Sequence, residues 1–211
     1  ALMDAFFELA RAHGLALIVD ETYKDFRPDD RAPHGLLARG DWPSTLIQLY
    51  SFSKTYSLTG HRVGALLADP ALLAEIAKLA DCIQISPPVL GQAAAAYALA
   101  HLQAHRAALR EALATRVADL RHAFAARPEI GYDLVSAGAY FAYLRHPFAD
   151  TPARALARDL VRRHKVLTLP GDTFGPGQAR YLRLAFANLG SDAFPDLIDR
   201  LAESARARPE A

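Results

Sequence analysis

Between Ser51 and Gly64 the sequence reads Ser-Phe-Ser-Lys-Thr-Tyr-Ser-Leu-Thr-Gly-His-Arg-Val-Gly. Two hydroxyls, Ser51 and Ser53, stand within three residues ahead of Lys54, and Arg62 follows it by eight. Hydroxyls with an arginine make a phosphate clamp, because the guanidinium fork matches two phosphate oxygens at once. A lysine held beside a phosphate ester can form an imine with a carbonyl, provided burial or nearby positive charge lowers its usual pKa of about 10.4. Taken singly, Lys54 also fits a solvated loop lysine, and Arg62 a partner for some carboxylate. The grouping on one strand-loop-strand unit is what favours the chemistry.

A second group lies upstream in Val19-Asp20-Glu21-Thr22-Tyr23, where a short apolar run ends in carboxylates. A buried Asp20 needs a cationic partner, since an isolated desolvated carboxylate is costly. A protonated pyridine nitrogen would serve; a helix N-cap or a buried ion pair are equally open roles. Tyr23, three residues on, can donate its hydroxyl to a ring oxygen.

These groups must be positioned by the elements around them. Leu2 to His13 has helical spacing, with Gly14 where a terminating glycine belongs. Leu15 to Val19 is a continuous apolar run, expected as a buried parallel strand, and Leu46 to Tyr50 and Val63 to Ala68 are further strands. The intervening residues 24–44 hold three prolines and two glycines and form a long irregular excursion. Both chemical groups then fall at carboxyl ends of neighbouring strands, where open α/β sheets bind ligands. Asp69-Pro70 opens a helix, and Gln92 to about Arg127 predicts either one bridging helix or a kinked pair. Two strands follow within 132–145, Asp150-Thr151-Pro152 caps a helix to about His164, and strands at Val166–Leu169 and Tyr181–Phe186 precede a terminal helix from Ser191.

The 211 residues suit one large domain or two small ones. A formal charge of +1 gives no electrostatic reason to expect nucleic acid or an anionic membrane as partner. No apolar run approaches the roughly 20 residues that span a bilayer, and no secretory leader is recognised. The single cysteine, Cys82, forms no internal disulfide, is expected to pack as a small hydrophobe, and agrees with a reducing, cytoplasmic setting. His101 and His105 have a spacing that can hold a metal, but without an accompanying acidic motif they read as a solvated helix face. Ala1-Leu2-Met3 already lies inside an amphipathic pattern, as expected of a chain that begins within something longer.

Ser-x-Ser-Lys, then Thr-Gly-x-Arg-x-Gly, with Asp-Glu-x-Tyr upstream, resembles the fold-type I pyridoxal-phosphate enzymes, specifically the class I/II aminotransferases. The resemblance runs over residues 1–204. It implies that Lys54 joins the cofactor aldehyde as an imine, that Asp20 holds the pyridinium nitrogen, and that Tyr23 bonds the ring oxygen. Ser51, Ser53 and Arg62 would bind the cofactor phosphate. Pro170-Gly171-Asp172-Thr173-Phe174 and Tyr181-Leu182-Arg183-Leu184 resemble the family's late loop and strand, which assigns the substrate α-carboxylate to Arg183. The implied fold is the C-terminal part of a three-layer α/β/α large domain (1–90), a connecting helical stretch (91–127) and a small C-terminal α+β domain (128–211). The family's preceding half, with its ring-stacking aromatic and an Asn-Pro-x-x-Gly turn, has no counterpart here, and His61 stands where the family often has a bulky aromatic. The implied activity is transfer of an amino group between an amino acid and a 2-oxo acid by a homodimer. A C–S β-lyase of the same fold, a non-catalytic effector domain and an inactive fragment remain alternatives.

Overall fold

The computed structural model of the chain describes residues 2–207, so Ala1, where the amphipathic opening begins, lies outside the described residues. Two compact units meet in sequence at Arg110/Glu111.

In the first unit, helix α1 (Leu2–Ala12) closes with Gly14 at φ +61°, while the Leu15 amide reaches back to the Ala10 carbonyl at 2.8 Å. That six-residue closure needs a left-handed residue, which glycine supplies without a Cβ clash. Strands β1 (Leu17–Asp20), β2 (Leu46–Ser51) and β3 (Gly64–Leu67) form a sheet in the order β1-β2-β3, the first pair parallel and the second antiparallel. Parallel register puts Leu17 and Val19 beside Leu46 and Gln48. This face packs on Phe7, Leu36 and Trp42, from α1 and the excursion.

The apolar run therefore departs from the expected fully buried strand. Its covered face is Leu17 and Val19, whereas Ile18 is 61 % exposed and Asp20 is exposed with it, because α1 and the excursion cover only one side. A short helix α2 (Phe52–Thr55) follows β2, and α3 (Pro70–Ile83) starts at an Asp69 cap whose carboxylate accepts the Ala71 amide at 2.8 Å. Cys82 does not pack as expected; it is exposed, on a helix none of whose residues is buried.

The long helical stretch is a pair. Helix α4 (Val89–His101) stops at Leu102, whose side chain turns onto the Phe52–Tyr56–Val63 cluster, and α5 (Gln103–Ala125) continues across the unit boundary. The break separates His101 from His105, and among the described residues no cluster of His, Cys, Asp or Glu is arranged to hold a metal. Early in α4, Gly91 meets the loop that carries Arg62: a Cβ there would come within 2.8 Å of the His61 carbonyl oxygen.

The second unit is a four-stranded antiparallel sheet, β4 (Asp133–Gly138), β5 (Phe141–Arg145), β6 (Thr168–Pro170) and β7 (Tyr181–Ala185), ordered β4-β5-β7-β6. Ala142, Leu144, Leu182 and Leu184 alternate inward onto α6 (Ala153–Asp159) and α7 (Phe194–Ala207), with Leu120 and Phe124 completing the core. Helix α6 has no side-chain cap at the expected Asp150-Thr151-Pro152; Pro152 occupies the cap, and the Ala153 amide bonds the Ala179 carbonyl at 2.8 Å instead. No helix among the described residues is long and apolar enough to cross a membrane.

Candidate active site

The strand ends carry the chemistry because their register is level. Asp20 pairs with Leu49 across β1 and β2, and the Glu21 amide still reaches the Leu49 carbonyl at 2.8 Å. Two residues beyond Leu49, Ser51 caps α2: its Oγ accepts the Ser53 amide at 3.3 Å. Lys54 sits half-buried in that helix between buried Ser53 and fully buried Thr55. Ser51, Ser53 and Lys54 thus lie on one continuous segment leaving β2. Exposed Arg62 has a left-handed backbone, φ +51°, and donates Nη1 to the Thr59 carbonyl at 3.1 Å. Ser57 is also left-handed, φ +55°. Two such non-glycine residues in one loop store strain on the order of 1–3 kcal/mol each, a cost commonly found at ligand-binding loops.

Asp20 departs from the expected buried carboxylate. It is exposed, its Oδ1 accepts the Thr22 amide at 2.9 Å, and hydrogen bonding from Thr22 side chain and backbone holds its carboxyl below the usual range. It is therefore ionised at neutral pH without a cationic partner having to be built into the chain. Tyr23, half-buried, precedes the turn Lys24–Phe26.

Two polar networks beside these residues escaped sequence reasoning. Glu21, next to Asp20 but on the covered side, is buried; Gln48 Nε2 donates to its Oε2, and His34 Nε2 lies 2.7 Å from its Oε1 at an angle off that of a linear hydrogen bond. His34 Nδ1 accepts the Leu36 amide at 3.2 Å, which fixes the proton on Nε2, facing Glu21. Asp25 forms the other network: its Oδ2 accepts Tyr50 at 2.6 Å and Thr55 at 3.1 Å, and Arg106 stands 3.5 Å from Oδ1. Burial, and then the bond to Asp25, push the Tyr50 phenol far above its ordinary range. The partners of Asp25 are up to 81 positions away in the sequence, and no local pattern announces them.

In the second unit Arg183 lies on the outward face of β7, in register with Tyr143. Its guanidinium stacks 4.3 Å from the Phe141 ring centre and 4.5 Å from that of Phe174. Ser136 to Gly138, Phe141 to Tyr143 and Arg183 line a cavity of about 460 Å³. Rings over the guanidinium faces leave its N–H edge for a bidentate anion such as a carboxylate. Phe174 is set by a tight turn: a Cβ on Gly171 would come within 2.7 Å of the Tyr143 hydroxyl and 2.5 Å of the Gln178 carbonyl oxygen.

Comparison with known proteins accords with this architecture. An arginine–pyruvate transaminase (AruH) of Pseudomonas aeruginosa is 32% identical over 204 residues, covering 96% of this chain and 51% of the relative. A probable aminotransferase of Mycobacterium tuberculosis is 32% identical over 181 residues, 84% of this chain and 41% of the relative. Among solved structures, the α-aminoadipate aminotransferase LysN of Thermus thermophilus, complexed with N-(5'-phosphopyridoxyl)-L-leucine, matches with a TM-score of 0.85 at 21% identity, over 97% of this chain and 53% of that one. The chain thus spans about half the length of the relatives it matches. The family described as aminotransferase class I and II matches residues 3–201, and the chain belongs to that family.

Proposed function

We propose that the protein of which this chain is at least a part is a pyridoxal-phosphate-dependent transaminase, moving an amino group between an amino acid and a 2-oxo acid. The observation that carries the reading is the level placement of Asp20 and the Ser51–Ser53–Lys54 segment at the ends of two parallel neighbouring strands. The residues fit the cofactor. Asp20 is anionic and exposed, able to face a protonated pyridine nitrogen. Ser51 keeps its hydroxyl proton to donate after accepting from Ser53, and Arg62 keeps guanidinium donors beyond the one spent on Thr59. Tyr23 would donate to the ring oxygen. Its relative AruH, named for transaminase activity, supports the same reading.

When bound, pyridoxal phosphate supplies an electron sink that acidifies the substrate Cα–H. Asp20 keeps the ring nitrogen protonated, which preserves that sink. Lys54 Nζ would hold the cofactor aldehyde when no substrate is bound and, once free, would carry a proton between substrate Cα and the cofactor side, as base and then as acid. In the second unit Arg183, its guanidinium stacked on Phe141 and Phe174, would receive a substrate carboxylate. We infer that a second copy of the protein completes the assembly as a homodimer.

The test is reduction with borohydride in the presence of pyridoxal phosphate, followed by peptide mapping and product analysis with amino acid donors. The label is expected on Lys54, with a 2-oxo acid as product, and Lys54→Ala is expected to remove both label and turnover. Retained transamination by Lys54→Ala would sink the assignment. Pyruvate with ammonia and a thiol would point to β-elimination, and cofactor binding without turnover to an effector role.

A further inference from the structure

We propose that Asp25 is a positioning residue of the lysine site, a single carboxylate that locks the turn following Tyr23 to the helix bearing Lys54. The inference rests on the reading of Lys54 as the cofactor lysine. Asp25 lies in the turn Lys24–Phe26, immediately after Tyr23, and its side chain is only 9% exposed. Its Oδ2 takes two hydroxyl donors from the other segment: Tyr50, at the end of β2 one residue before Ser51, at 2.6 Å, and Thr55, directly after Lys54, at 3.1 Å. Thr55 is fully buried, so its hydroxyl has been taken out of water to make this bond. On the opposite oxygen, Arg106 stands 3.5 Å away; Arg106 also approaches Asp30, which Arg110 engages as well.

Three groups from two other stretches of chain, Tyr50 and Thr55 in one and Arg106 in the other, thus converge on one carboxylate to which the proposed chemistry gives no part in binding or proton transfer. Its chemistry is suited to the task. An ionised carboxylate accepts at both oxygens at once, which an amide cannot do. Asp25→Asn would keep the size but remove the charge facing Arg106: an NH2 toward Arg106 sets donor against donor, and one toward the hydroxyls makes both turn round to accept. What the network ties together is the turn directly after Tyr23 and the helix that carries Lys54. Displacement of a reacting group by about 1 Å can cost on the order of 100-fold in rate.

The test uses the natural full-length protein, stripped of and reloaded with pyridoxal phosphate. Three variants are compared: Asp25→Asn, Thr55→Val and Thr55→Ser, with Asp133→Asn, in the other unit, as control. Two quantities are read: the rate at which apoprotein captures pyridoxal phosphate through Lys54, followed by absorbance and trapped with borohydride, and the split between kcat and KM. Asp25→Asn is expected to slow capture about tenfold and lower kcat about 10- to 100-fold, with KM for the amino donor changed less than about threefold. Thr55→Val should move in the same direction, and Thr55→Ser, which restores the hydroxyl, should return to within about threefold of the parent. Should Asp25→Asn fail to fold, the Thr55 pair decides the matter alone. Variants that melt earlier yet capture cofactor and turn over at the parental rate would overturn the proposal, leaving Asp25 a purely structural residue. Absence of any label on Lys54 in the parent protein is a different result: it overturns the lysine reading itself, and this proposal with it.

Discussion

Single side chains here show how burial sets protonation, and His146 is the clearest instance. It is 1% exposed; its Nε2 faces the Ala179 carbonyl at 3.4 Å, its Nδ1 has no hydrogen-bond partner, and the neighbouring Arg180 donates to the His146 carbonyl at 2.9 Å. Desolvation, with the Arg180 charge adding to it, holds the imidazole pKa below its usual 6.5. Above that pH the ring is neutral folded or unfolded, and its packing contributes in full. As pH falls below about 6.5 the unfolded chain binds a proton that the folded chain refuses, so stability is lost with falling pH down to the folded pKa. One such proton gives a slope of at most about 1.4 kcal/mol per pH unit. Urea unfolding between pH 5 and 8 should therefore show a steeper acid loss for the parent than for His146→Gln. Equal slopes would mean that His146 charges as readily inside as outside. Asp20 shows the opposite case: an exposed carboxylate stays charged because Thr22 bonds it, where the sequence had led to the expectation of a buried one.

At the level of elements, the excursion between β1 and β2 is tied down by Glu21. Buried Gln48 reaches it from β2 and His34 from the excursion, with Lys24 at 3.9 Å. Glu21→Gln is nearly isosteric but loses an acceptor: its NH2 faces either His34 Nε2, donor against donor, or Gln48, whose amide must then turn its oxygen round. An unsatisfied buried donor costs about 1–3 kcal/mol. The variant should unfold at lower urea by that amount and be cut faster by trypsin at exposed Arg31. An unchanged midpoint and cleavage rate would show that the network does not anchor the excursion. Such couplings mark the limit of what was legible. Strand and helix positions followed from apolar periodicity and from Gly14 and Asp69, and the Ser-x-Ser-Lys segment was visible because its members are consecutive. Glu21–His34–Gln48 and Asp25–Tyr50–Thr55–Arg106 were not, since their partners meet only after the sheet forms. A kinked pair was one of the two expectations for the long helical stretch, but the position of its break at Leu102 was hidden for a similar reason: no proline or glycine marks it, and the cluster onto which Leu102 turns is tertiary.

On the scale of the whole chain, one surface is hard to reconcile with a finished protein face. Between residues 79 and 90, Leu79 is 66% exposed, Ile83 83%, Ile85 78%, Val89 78% and Leu90 70%. Ile85 is also left-handed, φ +58°, a rare state for a β-branched residue, adopted where its amide closes the end of α3 on the Ala80 carbonyl at 3.1 Å. Each such side chain contributes about 1.5–3 kcal/mol when fully buried, so this stretch alone holds a strong drive toward another surface. The relatives are about twice as long as this chain, and a surface of this kind is covered either by further polypeptide or by a second copy. Residues 1–211 expressed alone should therefore self-associate in sedimentation velocity and brighten an apolar-binding dye. Ile83→Glu with Val89→Glu should reduce both, because a charge on either residue makes burial of the patch costly. A parent chain that sediments as a dye-silent monomer would show that the surface is tolerated in water, and would remove the physical reason for expecting the lysine site to need protein from outside these 211 residues.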